Sequence, residues 1–311
     1  MLLVLSGGTG TPKLIQGLVQ LLPPEKLSVV VNTAEDVEVS GLYVSPDLDT
    51  VTYTLAGIVD DQRWYGIRGD TFSCHEMLKS LGHNELLRVG DRDRAIKLYR
   101  TLRLREGIPL SRITTEIGQH LGVRSKIMPM SDDHVVTRIH TKARKLSFHE
   151  FWIVRRATDQ VKGVSFEGVE EARPAPGVVR AIRNADGILI GPSNPVTSIG
   201  PILAVKKIRE ALSRNREKAL AISPIIGGKA VSGPAGALMR GIGYSVSPVS
   251  VAQLYQDIVS KFMLHQSDDH LAQSIEAMGL EVIISDLLMP DYASRVRLAR
   301  EVLAILGLAK K

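Results

Sequence analysis

Cysteine is almost absent: Cys74 is the single one in 311 residues. That excludes a disulfide framework and a cysteine-ligated zinc site, and it fits a reducing compartment. Long apolar runs are missing as well. No stretch approaches the ~20 consecutive apolar residues of a membrane span. Met1–Leu5 has no basic flank before it, so it reads as a buried strand and not as a signal segment. Aromatic residues make up only 5% of the chain, and no nucleic-acid-binding module is visible, so nucleic acid is excluded as the expected partner. What remains is ordinary globular material, 44% hydrophobic and 23% charged, which rules out disordered and fibrous classes. The expectation is a cytoplasmic protein with neither a membrane nor a nucleic-acid partner.

The formal charge is +6, from 39 basic and 33 acidic residues, and its distribution says more than its sum. Glu35 to Asp61 holds seven acids and no Lys or Arg; Arg88 to Arg105 holds seven bases against two acids. Alone, an excess of base suits an anionic partner, whether nucleic acid, membrane surface or phosphorylated metabolite. Ala95, Leu98, Tyr99 and Leu102 recur at i, i+3, i+4 and i+7, which predicts a helix burying that stripe and leaving Arg92, Arg100 and Arg103 elsewhere on its surface.

The chain opens as strand, glycine turn, helix, strand. Leu2–Leu5 is apolar, Ser6–Thr11 is glycine-rich, and Pro12 suits the first turn of a helix reaching about Leu22, before Pro23-Pro24. Ser28–Val31 is a second buried strand. The rhythm returns at Gly187–Gly191, Ile202–Leu212, Lys218–Ile222 and Pro234–Met239, with a late strand at Glu281–Ser285 and a closing helix at Tyr292–Leu306. This predicts an α/β fold: an open, mostly parallel Rossmann-like sheet with helices on both faces. Residues 1–49 and 170–311 would form its nucleotide-binding core and 50–169 a helical and mixed insertion. Ser-Asp-Asp-His occurs at Ser131–His134 and again at Ser267–His270; each reads as a turn or helix entry before it reads as a metal site.

The strongest local signal is Ser6-Gly7-Gly8-Thr9-Gly10-Thr11-Pro12-Lys13, between a strand and a helix. Glycines let the backbone approach an anion, and the helix N-terminus adds positive partial charge. A tight turn alone requires the glycines but not Thr9, Thr11 and Lys13. Pro12 before Lys13 and Leu14 after it break the P-loop pattern, and Lys13 stands where the dinucleotide fingerprint needs its third glycine. Two further loops follow strands: Gly191–Pro195 with Ser193 and Asn194, and Ser223–Gly228, after which Val231–Gly236 supplies Gly233 and Gly236. Ligands bind at the carboxyl ends of such strands, so these loops are candidates for a nucleotide and its phosphates. Asn32 leaves the second strand at the same edge. Asp47 and Asp49 then sit two residues apart before an apolar helix; Asp49 reads either as a helix cap or, with Asp47, as a magnesium site beside phosphate oxygens. An acidic group there also suits the orienting of an attacking hydroxyl.

At this point the residues resemble a known family. The runs Ser6–Lys13, Val31–Asp36, Ser45–Thr50, Gly69–Phe72, Gly90–Ala95, Pro129–Asp133, Gly191–Pro195, Ser198–Pro201 and Val231–Gly236 are similar, in sequence and in order, to the 2-phospho-L-lactate transferase family (CofD). The resemblance implies a magnesium-dependent step of coenzyme F-420 biosynthesis, by a homodimer. Phospholactate would pass from lactyl-2-diphospho-5'-guanosine (LPPG) to the ribityl hydroxyl of the deazaflavin FO, with GMP leaving. It also implies that Asp49 and Arg88 contact FO across the insertion side of the cleft. On this reading Asp49, Asp47 and Lys13 are catalytic, and Asp47 and Asp49 hold Mg2+. Gly8, Thr9, Gly10, Thr11, Lys13, Asn32, Ser193, Asn194, Ser223, Gly233 and Gly236 bind nucleotide and phosphate. Trp64, with Tyr65 and Phe72, is either an apolar wall for the FO ring or core packing. The competing reading is a non-catalytic nucleotide or UDP-sugar sensor of the gluconeogenesis-factor type; the Ser45–Thr50 and Gly90–Ala95 motifs favour the transferase.

Overall fold

The computed structural model describes residues 1–309. Strands β1 (Leu2–Ser6), β2 (Leu27–Val31), β3 (Lys126–Pro129), β4 (Gly187–Ile190), β5 (Ala219–Ile222), β6 (Lys261–His265) and β7 (Glu281–Ser285) form one sheet in the order β7-β6-β5-β4-β1-β2-β3. Every neighbouring pair is parallel. Their sequences are apolar runs without alternation because both faces are covered. Leu3 and Leu5 enter one core with Val30, Ile188 and Ile190, while Leu2 and Val4 enter the other with Val29, Val31 and Leu189.

The helices that matter for the site are α1 (Gly10–Leu18), α2 (Pro46–Leu55), α3 (Ser73–Ser80), α4 (Asp91–Arg105), α5 (Leu110–His120) and the closing α6 (Tyr292–Ile305). Leu14, Ile15 and Leu18 of α1 share a core with Leu298, Ala299 and Val302 of α6. The two helices touch at Gly17, where a Cβ would lie 2.3 Å from the Arg295 carbonyl oxygen. On the other face, a three-stranded antiparallel sheet (Lys145–Ser147, Val136–Thr141, Val161–Glu167) packs against the helix Ala235–Gly241.

Three expectations are corrected. The 50–169 segment is not wholly outside the core, because β3 lies within it and pairs with β2 as the edge of the sheet. The first helix ends at Leu18, four residues early. The helix expected over Ile202–Leu212 is two helices, Gly200–Ala204 and Lys206–Ser213, because Val205 adopts an extended ψ of 100° between them.

Strand order reverses direction between β1 and β4, with β2 and β3 on one side and β5 to β7 on the other. In an open parallel sheet the loops diverge at such a point and leave a crevice at the carboxyl ends.

Candidate functional site

The loops after β1 and β4 meet in that crevice closely enough to need their glycines. Gly8 has a left-handed φ of 58°. A Cβ on Gly7 would sit 2.7 Å from Ser198 Cβ, one on Gly10 would be 2.1 Å from the Pro192 carbonyl oxygen, and one on Gly191 would strike Thr11. Ser193 Oγ donates to the Gly7 carbonyl and shares a 2.6 Å hydrogen bond with Thr11 Oγ1. Thr11 is therefore a buried tie between two loops, not a hydroxyl facing a ligand. Gly8, Thr9, Gly10 and Lys13 line the cleft, with Ser193, Asn194, Ser223 and Gly233 across from them. Gly236 is absent from that lining and a Cβ there would face Val246.

Asp47 is built into the same junction. Its Oδ1 accepts from the Gly8 N–H at 2.8 Å and its Oδ2 from Asn32 Nδ2 at 2.9 Å. Asn32 also donates to the Thr197 carbonyl at 3.2 Å, so it holds the carboxylate in place from behind and does not line the cleft. Burial pushes Asp47 up to about 6, against the pull of those two donors. Glu35, which the sequence reading left unassigned, lines the cleft beside it. Burial and then the Asp47 charge hold Glu35 well above the usual carboxylate range, and its buried Oε1 has no hydrogen-bond partner among the described residues. Two buried carboxyls whose protonated forms burial favours, one with an orphaned oxygen, form a donor set suited to a hard cation. No group of three His, Cys, Asp or Glu is gathered for a metal among the described residues, so a cation here would draw its other oxygens from substrate and water.

Asp49 does not join Asp47. The structure puts both inside α2, after Pro46, and residues two apart on a helix point to nearly opposite sides. Asp49 Oδ2 accepts from Lys97 Nζ at 3.0 Å, and both its oxygens accept from the Arg100 guanidinium. Lys97 also pairs with Asp93, which accepts from Tyr53 OH at 2.6 Å. Burial alone would raise the Asp49 carboxyl, but Arg100 and Lys97 outweigh it and hold the group anionic. Both oxygens of Asp49 are thus taken by Arg100 and Lys97, although Asp47 and Asp49 line the same cleft; as the fourth residue of α2, Asp49 is not its cap, which corrects that alternative.

The same contacts invert α4. Leu98 is 47% and Leu102 48% exposed, whereas Lys97 and Arg100 are each 3% exposed. The apolar stripe expected to bury points to solvent, and the charged face packs inward because Asp49 supplies the counter-charge from another helix. Periodicity marks a two-faced helix; here a buried ion-pair network decides which face is inside.

The cleft encloses about 960 Å3, within the range of small-molecule sites. Asp49, Trp64, Tyr65 and Arg88 line its α2–α4 side, with Asp93 and Lys97 deeper in. Phe72 lies outside the lining; its ring carries the Arg88 guanidinium at 3.9 Å, and Tyr65 OH donates to the Arg88 carbonyl. Trp64 has φ 59°, a left-handed conformation that costs a non-glycine residue about 1–3 kcal/mol. Both Lys13 and Arg295 lie over its indole. Phe148, His149 and Trp152, from the helical segment that follows the strand Lys145–Ser147, were not foreseen as lining; burial lowers His149 to about 4, so it stays neutral at physiological pH. The repeated Ser-Asp-Asp-His segments lie elsewhere: the first is a bend where Asp132 accepts from Ser111, and the second lies in the 3-10 helix Gln266–Leu271 that leads into the next helix, where Asp268 accepts from the Gly227 N–H.

Comparison with known proteins shows the family. The family model described as 2-phospho-L-lactate transferase CofD matches residues 2–288. A 2-phospho-L-lactate transferase of Methanopyrus kandleri is 50% identical over 312 residues, covering 98% of this chain and 97% of its own. One from Methanocaldococcus jannaschii is 44% identical over 308 residues, with 98% and 97% covered. Another, from Methanococcus maripaludis, is 45% identical over 305 residues, with 96% and 97% covered. A solved Bacillus halodurans structure superposes with a TM-score of 0.67 at 19% identity, over 97% of this chain and 98% of that one. That last likeness is one of fold.

Proposed function

The chain belongs to the 2-phospho-L-lactate transferase CofD family, and from that premise we propose that it transfers the phospholactyl group of LPPG to the terminal ribityl hydroxyl of FO, releasing GMP. The observation that carries the reading is a single cleft lined on one side by the glycine loops and Lys13 and on the other by Asp49, Trp64 and Arg88. Gly8, Thr9 and Gly10, at the N-terminus of α1, and Lys13 suit the diphosphate. Ser193, Asn194, Ser223 and Gly233 suit the guanosine side. Asp49, kept ionised by Arg100 and Lys97, would accept the hydrogen bond of the attacking hydroxyl, while Arg88 and Trp64 hold the deazaflavin. The hydroxyl oxygen bonds the phosphorus bearing the lactyl group, the bridging P–O bond to GMP breaks, and the proton is released to solvent. Phosphoryl transfer needs mostly this positioning and the neutralising of charge.

Magnesium belongs to the same proposal, held by Asp47 with Glu35 and not by Asp49. Bound there it would offset charge on the diphosphate oxygens. A homodimer and a cytoplasmic location complete the reading. Among the described residues no helix is long and apolar enough to cross a membrane, and the outward stripe Ala95, Leu98, Tyr99 and Leu102 supports a second copy as its cover. Sedimentation velocity at assay concentration tests the dimer. The decisive assay mixes purified protein, Mg2+, FO and LPPG and follows GMP. Absence of GMP release from folded protein with verified substrates rejects the proposal, and binding of UDP-sugars without FO would favour a sensor instead.

A further inference from the structure

We infer that Arg295, on the closing helix α6, is a positioning residue of this site: it clamps the Trp64 indole that walls the α2 side of the cleft and sets a positive charge behind Lys13. Nothing in the sequence past Gly236 suggested a role in the site, and α6 lies beyond the residues 2–288 that match the family. The tertiary contacts are nevertheless specific. The Arg295 guanidinium carbon lies 4.7 Å from the Trp64 ring centroid, and Lys13 Nζ lies 5.6 Å from the same centroid. Arg295 Nη1 donates to Gln16 Oε1 on α1 at 2.6 Å. The helices come together closely enough for this because Gly17 has no side chain.

Two features argue that more than packing is at stake. Arg295 is only 7% exposed, yet among the described residues no carboxylate lies within ion-pair distance of it, and its buried Nε has no partner. A buried guanidinium without a counter-ion is unfavourable; an aromatic face compensates in part, and an incoming anion would compensate further. Trp64, for its part, keeps a left-handed φ of 59°. Strain of that kind persists where the surroundings over-determine it, and the stacked cations supply such a restraint. In agreement, burial and then the Arg295 charge lower Lys13 below the usual lysine range. Lys13, Arg295 and the N-terminus of α1 thus gather positive charge around one indole at the mouth of the glycine loops.

The inference rests on the reading of those loops as a diphosphate seat, so the experiment keeps the two apart. Trp64 and Trp152 are the only tryptophans; full-length protein carrying Trp152→Phe reports Trp64 alone. Acrylamide quenching of that emission, without ligand, and calorimetric GDP binding are measured for Arg295, Arg295→Met and Arg295→Lys. Arg295→Met is expected to raise the quenching constant about threefold or more, and to weaken GDP binding roughly three- to tenfold. Arg295→Lys, which keeps the charge and loses the planar stack, is expected to recover GDP affinity but not the protection of Trp64. If Arg295→Met lowers only the melting temperature, with both local readouts unchanged, Arg295 is a packing residue and the inference falls. If Arg295→Met fails to fold, Arg295→Lys decides: unchanged quenching overturns the inference, and raised quenching with retained GDP affinity upholds it. If the unsubstituted Arg295 protein binds no GDP, the diphosphate reading fails, and quenching alone still judges the clamp.

Discussion

Replacing Asp49 by alanine leaves two buried cations facing one remaining carboxylate. In the intact protein Asp49 and Asp93 balance Lys97 and Arg100, with all four side chains almost inaccessible to water. Breaking a buried pair by removing one partner costs about 3–5 kcal/mol. Unfolding entropy near ~2.1 cal/mol/K per residue, over 311 residues, converts this to a melting-temperature fall of roughly 5–8 °C. Removing the hydrogen-bond acceptor should also cut GMP release by at least ~100-fold, while GDP binding, on the glycine-loop side, stays within about twofold. Thermal melts, calorimetry with GDP and the GMP assay are run together to separate these effects. Pairing Asp49→Ala with Arg100→Met restores neutrality, so the double variant should melt well above the level that adding the two single losses would give. A melting shift under about 1 °C for Asp49→Ala, with additive behaviour in the double variant, would refute the buried-network argument.

Three further outcomes are expected. Burial raises Asp36 from 3.8 to about 8 despite hydrogen bonds from Ser45 and Tyr43. The folded state therefore holds a proton that the unfolded chain has lost, and this contribution is full below about pH 4 and fades as pH rises through about 8. Asp36 should account for about 1.4 kcal/mol of lost stability per unit between pH 5 and 7; urea unfolding of Asp36→Asn should show a correspondingly shallower slope, and identical slopes would count against it. Gly10→Ala places a Cβ 2.1 Å from the Pro192 carbonyl, so the loops must part, and GDP affinity should fall about tenfold or more by calorimetry; unaltered affinity would mean the loops do not form the seat. Glu35→Gln should weaken Mg2+ binding in the presence of GDP by about tenfold. In the unsubstituted protein that affinity should decline as pH drops through about 6, where Asp47 takes up its proton; equal affinities at pH 5.5 and 7.5 would displace the cation from Asp47.

The chain's local chemistry was enough for much of this. Unbroken apolar strands covered on both faces announce a parallel sheet, and a glycine-rich run between a strand and a helix announces a close backbone approach there. Both signals are carried by neighbours in sequence, so they are readable without coordinates. The motifs from Ser6 to Gly236 likewise sufficed for the family. Tertiary structure decided what depends on distant partners. The pattern of α4 is equally amphipathic in either orientation, and only Asp49, forty-eight residues before Lys97, makes its charged face the buried one. The helical phase of α2 separates Asp47 from Asp49 and leaves Glu35 as the companion carboxyl. Thr11 looked like a phosphate ligand until Ser193 claimed its hydroxyl, and Arg295 acquired a place only when Gly17 let α6 approach α1. The phase of α2 apart, each is a pairing energy between segments far apart in the chain, and no local pattern of residues encodes it.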